Sequence, residues 1–90
     1  LDTLPDLDLS EDKMSRILRD VHLIEARLSE LSNGPAKDSA AQALYQSLLQ
    51  RHELDSSRFN RNMNALLLSP DLTQRLSSKA MVLIEKNDWE

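Results

Sequence analysis

Ninety residues suffice for one domain and no more, and a chain this short buries a smaller share of its surface than a long one. Apolar residues make up 40% but aromatics only 3%, with one Gly and three Pro, which excludes a turn-rich β-sandwich and a disordered low-complexity chain. The net charge of −4 and an isoelectric point near 5.1 weigh against a nucleic-acid or anionic-membrane binder, and the absence of Cys removes disulfides and thiolate chemistry.

The sequence opens on Leu1 and not on an initiator Met, so an upstream segment is expected to have been removed, any signal peptide with it. Residues 1–9 alternate Leu with Asp around Pro5 and lack a helical period, which predicts an extended N-terminal arm. A single helical domain over 10–90 follows. Ser10 is a good N-cap, and Glu11 and Asp12 place negative charge in the first turn, where the helix dipole favours it. Met14, Ile17, Leu18, Val21, Ile24, Leu28 and Leu31 recur at three- and four-residue steps, predicting a first helix over about 10–32 with Arg16, Arg19, Arg27 and Glu30 on its far side. Gly34 is read as the residue just past its end, with Pro35 beyond.

Asp38 or Ser39 is expected to cap a second helix over about 38–52, with Ala41, Leu44, Tyr45, Leu48 and Leu49 inward. Asp55 caps a third over about 55–68, whose inner face carries Phe59, Met63, Leu66 and Leu67. Ser69-Pro70-Asp71 restarts the chain into a fourth helix over about 70–86, burying Leu72, Leu76, Ala80 and Leu83. Residues 87–90 are read as a tail, with Trp89 marking a mobile end. The short connections predict an all-α bundle of four helices with antiparallel neighbours on a long first spine.

Three constellations carry chemistry. Asp6, Asp8, Ser10 and Asp12 have the alternation of a calcium loop, but its sixth position is Glu11 where Gly is needed and its twelfth is Ile17 where a bidentate Glu is needed. An acidic arm running into a helix cap is the simpler reading. Asp20, His22 and Glu25 form a polar set on the first helix: Glu25 falls within the apolar stripe, and His22 and Asp20 flank it. With Tyr45 they make a candidate ligand-binding seam; the simpler alternative is a hydrogen-bonded structural seam in which Glu25 reaches Tyr45 or Arg58. His22-x-x-Glu25 could supply metal ligands, yet the facing helices offer little besides Tyr45, His52 and Asn62, so neither metal nor cofactor is expected. His52 is read as interacting with the free carbonyls at its helix end. The second and third helices have the length of a helix-turn-helix, and Arg58, Asn60, Arg61 and Asn64 could meet phosphate or base edges, but Glu53 and Asp55 sit where phosphate would approach. Nucleic acid is not the expected partner.

There is no Gly-rich phosphate loop, nucleophile elbow, HExxH or CxxC in the sequence, and most serines sit where capping explains them, so the expectation is a protein that is not an enzyme. Leu23, Leu68 and Met81 point off their helical stripes and mark a candidate partner surface, for an unknown protein or for self-association.

The order Pro5, Lys13-Met14, Ile17-Leu18-x-Asp20-x-His22-Leu23-x-Glu25-Ala26, Tyr45, His52, Phe59 and Pro70 resembles a domain-of-unknown-function family of small Bacteroidetes lipoproteins, over roughly residues 5–86. Ala65-Leu66 stands where that pattern has an aromatic pair, and Asn62 where it has Ser. The resemblance implies an exported product with a lipobox Cys just before the arm. It thus implies a periplasmic or outer-membrane-tethered domain that meets the membrane through that lipid anchor alone.

Overall fold

The computed structural model describes residues 9–86, which form four helices: α1 (Glu11–Leu28), α2 (Pro35–Arg51), α3 (Ser56–Leu67) and α4 (Pro70–Glu85). Among the described residues there is no strand. Of the predicted arm over 1–9, residues 1–8, with Asp6 and Asp8 of the calcium-like alternation, lie outside the described residues, as does the tail with Trp89; Leu9, where the arm ends, is buried in the core.

The first helix starts as its sequence dictates. Ser10 Oγ accepts from the Lys13 amide at 3.1 Å, satisfying a donor that the first turn leaves open. Met14, Ile17, Leu18, Ile24 and Leu28 are buried along one stripe. The helix ends at Leu28, earlier than the apolar period implies, because Ser29 turns its hydroxyl onto the Ala26 carbonyl at 2.7 Å and the next two amides close tighter i−3 bonds. Leu31 is consequently exposed rather than inward.

Gly34 does not follow α1; it precedes α2 as its N-cap residue, at φ 148° and ψ −174°. A side chain there would meet nothing within 4 Å, so it is the backbone conformation that calls for glycine. Its carbonyl accepts from the Asp38 amide at 3.1 Å, which starts the helix at Pro35, where a fixed φ and a missing N–H are tolerated. Asp38 therefore sits inside the first turn, and neither it nor Ser39 is the cap. Leu48 is the buried centre of α2, with Ala41, Leu44, Tyr45 and Leu49 half-buried around it.

The exit from α2 is a Schellman motif built without glycine. The Leu54 amide reaches back to the Leu49 carbonyl at 2.9 Å and the Glu53 amide to Gln50 at 3.2 Å, with Glu53 at φ 56° and Leu54 buried behind it. A non-glycine residue is strained at that φ, and a carboxylate is poorly placed beside the negative end of a helix dipole. Glu53→Gly is expected to stabilise the domain by about 1 kcal/mol. Thermal melting checks this; a melting temperature that is unchanged or lower would count against the account.

Asp55 Oδ1 accepts from the Arg58 amide at 2.7 Å and caps α3 as its position predicts. The inner face of α3 is Asn62, Ala65 and Leu66, with Phe59 and Met63 half-buried. Leu67 is 79% exposed, correcting its assignment to the inner face: it lies one residue, about 100°, past Leu66 and rotates out of the stripe. Asn62 tolerates full burial because its amide donates to the Arg58 carbonyl of its own helix at 2.8 Å. At α4, Ser69 occupies the N-cap position without a side-chain cap bond, and Thr73 Oγ1 instead donates to the Leu66 carbonyl across the corner.

α4 is the main packing partner of α1, burying Leu72, Leu76 and Ala80. Arg75 Nη2 donates to Glu11 at 2.7 Å and Lys79 to Asp12 at 2.9 Å, which ties α4 to the first turn of α1. Between α1 and α2 residue numbers run oppositely, Asp20 pairing with His52 and Glu25 with Tyr45. The antiparallel arrangement thus holds for the first helix pair.

Candidate functional site

The antiparallel register of α1 and α2 divides the predicted polar seam into two separate pairs. Asp20, buried at 5% exposure, meets the C-terminal end of α2. Its Oδ2 accepts from His52 Nε2 at 2.7 Å and from Arg51 Nη1 at 3.4 Å, while Oδ1 accepts from Arg19 Nε at 3.0 Å. An ionised carboxylate can only accept, so the His52 nitrogen facing it is the protonated one.

His52 does not interact with its own helix's free carbonyls through this nitrogen, as its position at the helix end implies; the register of the helix pair carries it to Asp20 instead. Arg19 likewise is not on a far side. It is 1% exposed, the largest of the fully buried side chains, with a guanidinium tied to its neighbour in sequence. A charge removed from water is stable only when paired and hydrogen-bonded, and here one carboxylate serves two guanidiniums and an imidazole. Its chemistry is that of a fastener between α1 and the end of α2.

Glu25 and Tyr45 form the second pair. Glu25 is itself exposed, and the Tyr45 hydroxyl donates to its Oε2. The Tyr45 ring packs against Phe59 of α3 with centroids 6.2 Å apart and planes at 54°, so one tyrosine links three helices. His22, predicted at the edge of the stripe, is fully on the exposed side and joins neither pair.

Burial first, and then donation to the Glu25 carboxylate, push the Tyr45 hydroxyl well above its ordinary pKa of about 10. Because the folded value is raised, the contribution is complete below the ordinary value and is lost as pH climbs above it towards the folded value. Tyr45 is the chain's single tyrosine, so the ultraviolet band of tyrosinate reports on it alone. That band is expected to appear at higher pH than in a free tyrosine, and Glu25→Gln is expected to bring it down. An ordinary titration in the folded wild type would contradict the pairing.

Among the described residues no group of three or more His, Asp or Glu is placed to hold a metal ion. A shallow cleft of about 210 Å³ lies between α1 and α2, with Leu23, Ile24, Leu44 and Leu48 on its walls and Arg27 and Arg51 at its edge. Leu23 is therefore half-buried in this cleft, whereas Leu68 and Met81, with which the sequence grouped it, are exposed on the α3–α4 side. The sequence reading missed Leu67, which with Leu68 makes an adjacent exposed pair, and missed Val82 beside Met81. It also missed the Arg19–Asp20–His52 cluster, for which the pairing of Asp20 with a histidine near the next helix end was the available signal.

No curated protein and no solved structure matches this chain. A family model does match, over residues 5–88, and it takes in all four helices, the Asp20 cluster and the Glu25–Tyr45 pair. The chain belongs to the family described as a domain of unknown function, DUF4296.

Proposed function

We propose that this domain is a non-enzymatic module of the cell envelope that works through protein contacts, carried as a lipoprotein by an anchor upstream of Leu1. The observation that carries the contact reading is the pair Leu67 and Leu68, 79% and 77% exposed at the corner between α3 and α4. Single exposed leucines are ordinary, but two adjacent ones beside a helix corner form an apolar knob that water solvates poorly. Covering each leucine fully is worth about 1.5–3 kcal/mol. The buried groups with chemical potential support the non-enzymatic reading, since Asp20, His52 and Arg19 are engaged with one another.

The envelope location rests on the likeness of the motif order to exported lipoproteins. No helix of the described residues is long and apolar enough to cross a membrane, which accords with attachment through a lipid. DNA binding through α3 is less well supported, because the Asp55 carboxylate occupies the helix start and the chain carries a net charge of −4.

The test pairs light scattering over a range of concentrations with capture from envelope extracts, comparing wild type with Leu67→Asp/Leu68→Asp. Association or capture that the double variant abolishes, at an unchanged melting temperature, supports the reading. A strictly monomeric wild type that retains nothing overturns it. Fractionation and lipid labelling of the full-length product test the location, which a soluble, unlabelled product would remove.

A further inference from the structure

α2 and α3 diverge from the Schellman corner and leave a cleft of about 480 Å³ between them, within the roughly 300–1,000 Å³ range of small-ligand sites. Its walls are two helical stripes. Gln42, Tyr45, Gln46 and Leu49 follow i, i+3, i+4, i+7 spacing on α2, and Ser56, Phe59 and Asn60 follow i, i+3, i+4 on α3. The chain is 29% charged, yet none of these seven residues carries a charge, while two of the chain's three aromatic residues are among them.

We propose that this cleft is a binding site for a short neutral saccharide. The tilted Tyr45 and Phe59 rings make a corner, and aromatic faces accept the C–H faces of a sugar ring. The Tyr45 hydroxyl is committed to Glu25, so Tyr45 contributes its ring and the polar recognition falls to the others. Gln42, Gln46 and Asn60 are exposed and uncharged, and each amide both donates and accepts, as a hydroxyl does; neighbouring hydroxyls of a sugar match that pair. An anionic ligand would meet no counter-ion among these walls, and the one carboxylate at their border, Glu25, is engaged by the Tyr45 hydroxyl. A peptide is the competing occupant: a strand needs a free sheet edge and an amphipathic helix a continuous apolar floor, while an extended peptide, which aromatic-lined grooves also accept, is what the tripeptide arm of the test reads. Two helices offer no strand edge, and Leu49 is the single aliphatic residue among the seven.

Amide NMR shifts of the full chain, titrated with maltotriose, cellotriose and chitotriose and with a neutral blocked tripeptide, test the proposal. At least one saccharide is expected to give saturable shifts at millimolar concentration, concentrated in residues 42–49 and 56–60. Phe59→Ala is expected to weaken binding between about twofold and tenfold. Because Phe59 also packs in the fold, the exposed Gln46→Ala and Asn60→Ala variants provide a second reading: both should weaken binding at an unchanged melting temperature, and Arg27→Ala on the other cleft should not. No saturable shift with any of the three saccharides overturns the proposal. So does binding that survives all three cleft variants, or binding of the tripeptide alone. These outcomes are independent of the protein-contact test, which concerns the far corner of α3.

Discussion

Asp20→Ala is expected to destabilise the domain by about 3–5 kcal/mol, the cost of breaking a buried ion cluster by removing one partner. The carboxylate stands between two guanidiniums, with Arg19 at 3.0 Å and Arg51 at 3.4 Å, and it accepts from His52 at 2.7 Å. Alanine would remove from Arg19, at 1% exposure, a negative partner held at 3.0 Å, and from His52 and Arg51 the oxygen they share. Domains of this kind have about 5–15 kcal/mol in total, so the variant is expected to sit near the edge of folding. Denaturant unfolding followed by helical circular dichroism measures it. Asp20→Asn, which keeps the shape and one acceptor, should lose less, and Arg51→Ala less still because Arg51 is half in solvent. If Asp20→Ala cost under about 1 kcal/mol, the cluster would not be the fastener of α1 and α2.

The ranking of these variants bears on what the cluster is for. A site poised for chemistry keeps a titratable group open to a substrate, whereas Asp20 has both oxygens occupied from inside the protein. The Glu25–Tyr45 pair is the more accessible of the two, and it borders the α2/α3 cleft through the Tyr45 ring. The division of the seam thus leaves Asp20 enclosed by its partners and the Glu25–Tyr45 pair at the edge of an open surface.

Elements governed by local chemistry were legible from the sequence. Ser10 and Asp55 cap their helices because a short oxygen side chain before an apolar period has one good use, and Pro70 opens α4 because its missing N–H is harmless there. Glu25 meeting Tyr45 was legible as one of two alternatives, Arg58 being the other, since each polar group lies on a stripe that faces a neighbouring helix. What depends on the register between helices was not. Arg19 follows Leu18 by one position and falls outside the apolar stripe, yet it is 1% exposed and bonded to Asp20, which no apolar period within α1 encodes. The same holds for His52. Gly34 and Pro35 were misassigned because Gly after one helix and Pro before the next are both ordinary, and a single Gly-Pro step can serve either end. Leu67 was misassigned because Leu66, Leu67 and Leu68 are consecutive, and composition alone does not say which of three leucines faces in.

Leu76→Ala is expected to cost about 2–5 kcal/mol, the range for truncating a fully buried leucine. Leu76 is 0% exposed at the centre of α4, four residues before Ala80, also 0% exposed, whose small side chain lets α4 lie close against α1. For a domain of this size each kcal/mol moves the melting temperature by roughly 4–8 °C, so the shift should be plain. The contrast is with the exposed ion pairs on the same helix. Lys79 holds the Asp12 carboxyl below its ordinary pKa, so that pair's contribution is present above the ordinary carboxylate value and is lost as pH falls through the lowered one. Asp12 and Arg75 are well exposed, however, and salt screens such pairs. Melting in high salt, or after Lys79→Ala, should therefore change little while Leu76→Ala changes much. Comparable losses from both would mean that charge, and not the Leu72–Leu76–Ala80 stripe, holds α4 to α1.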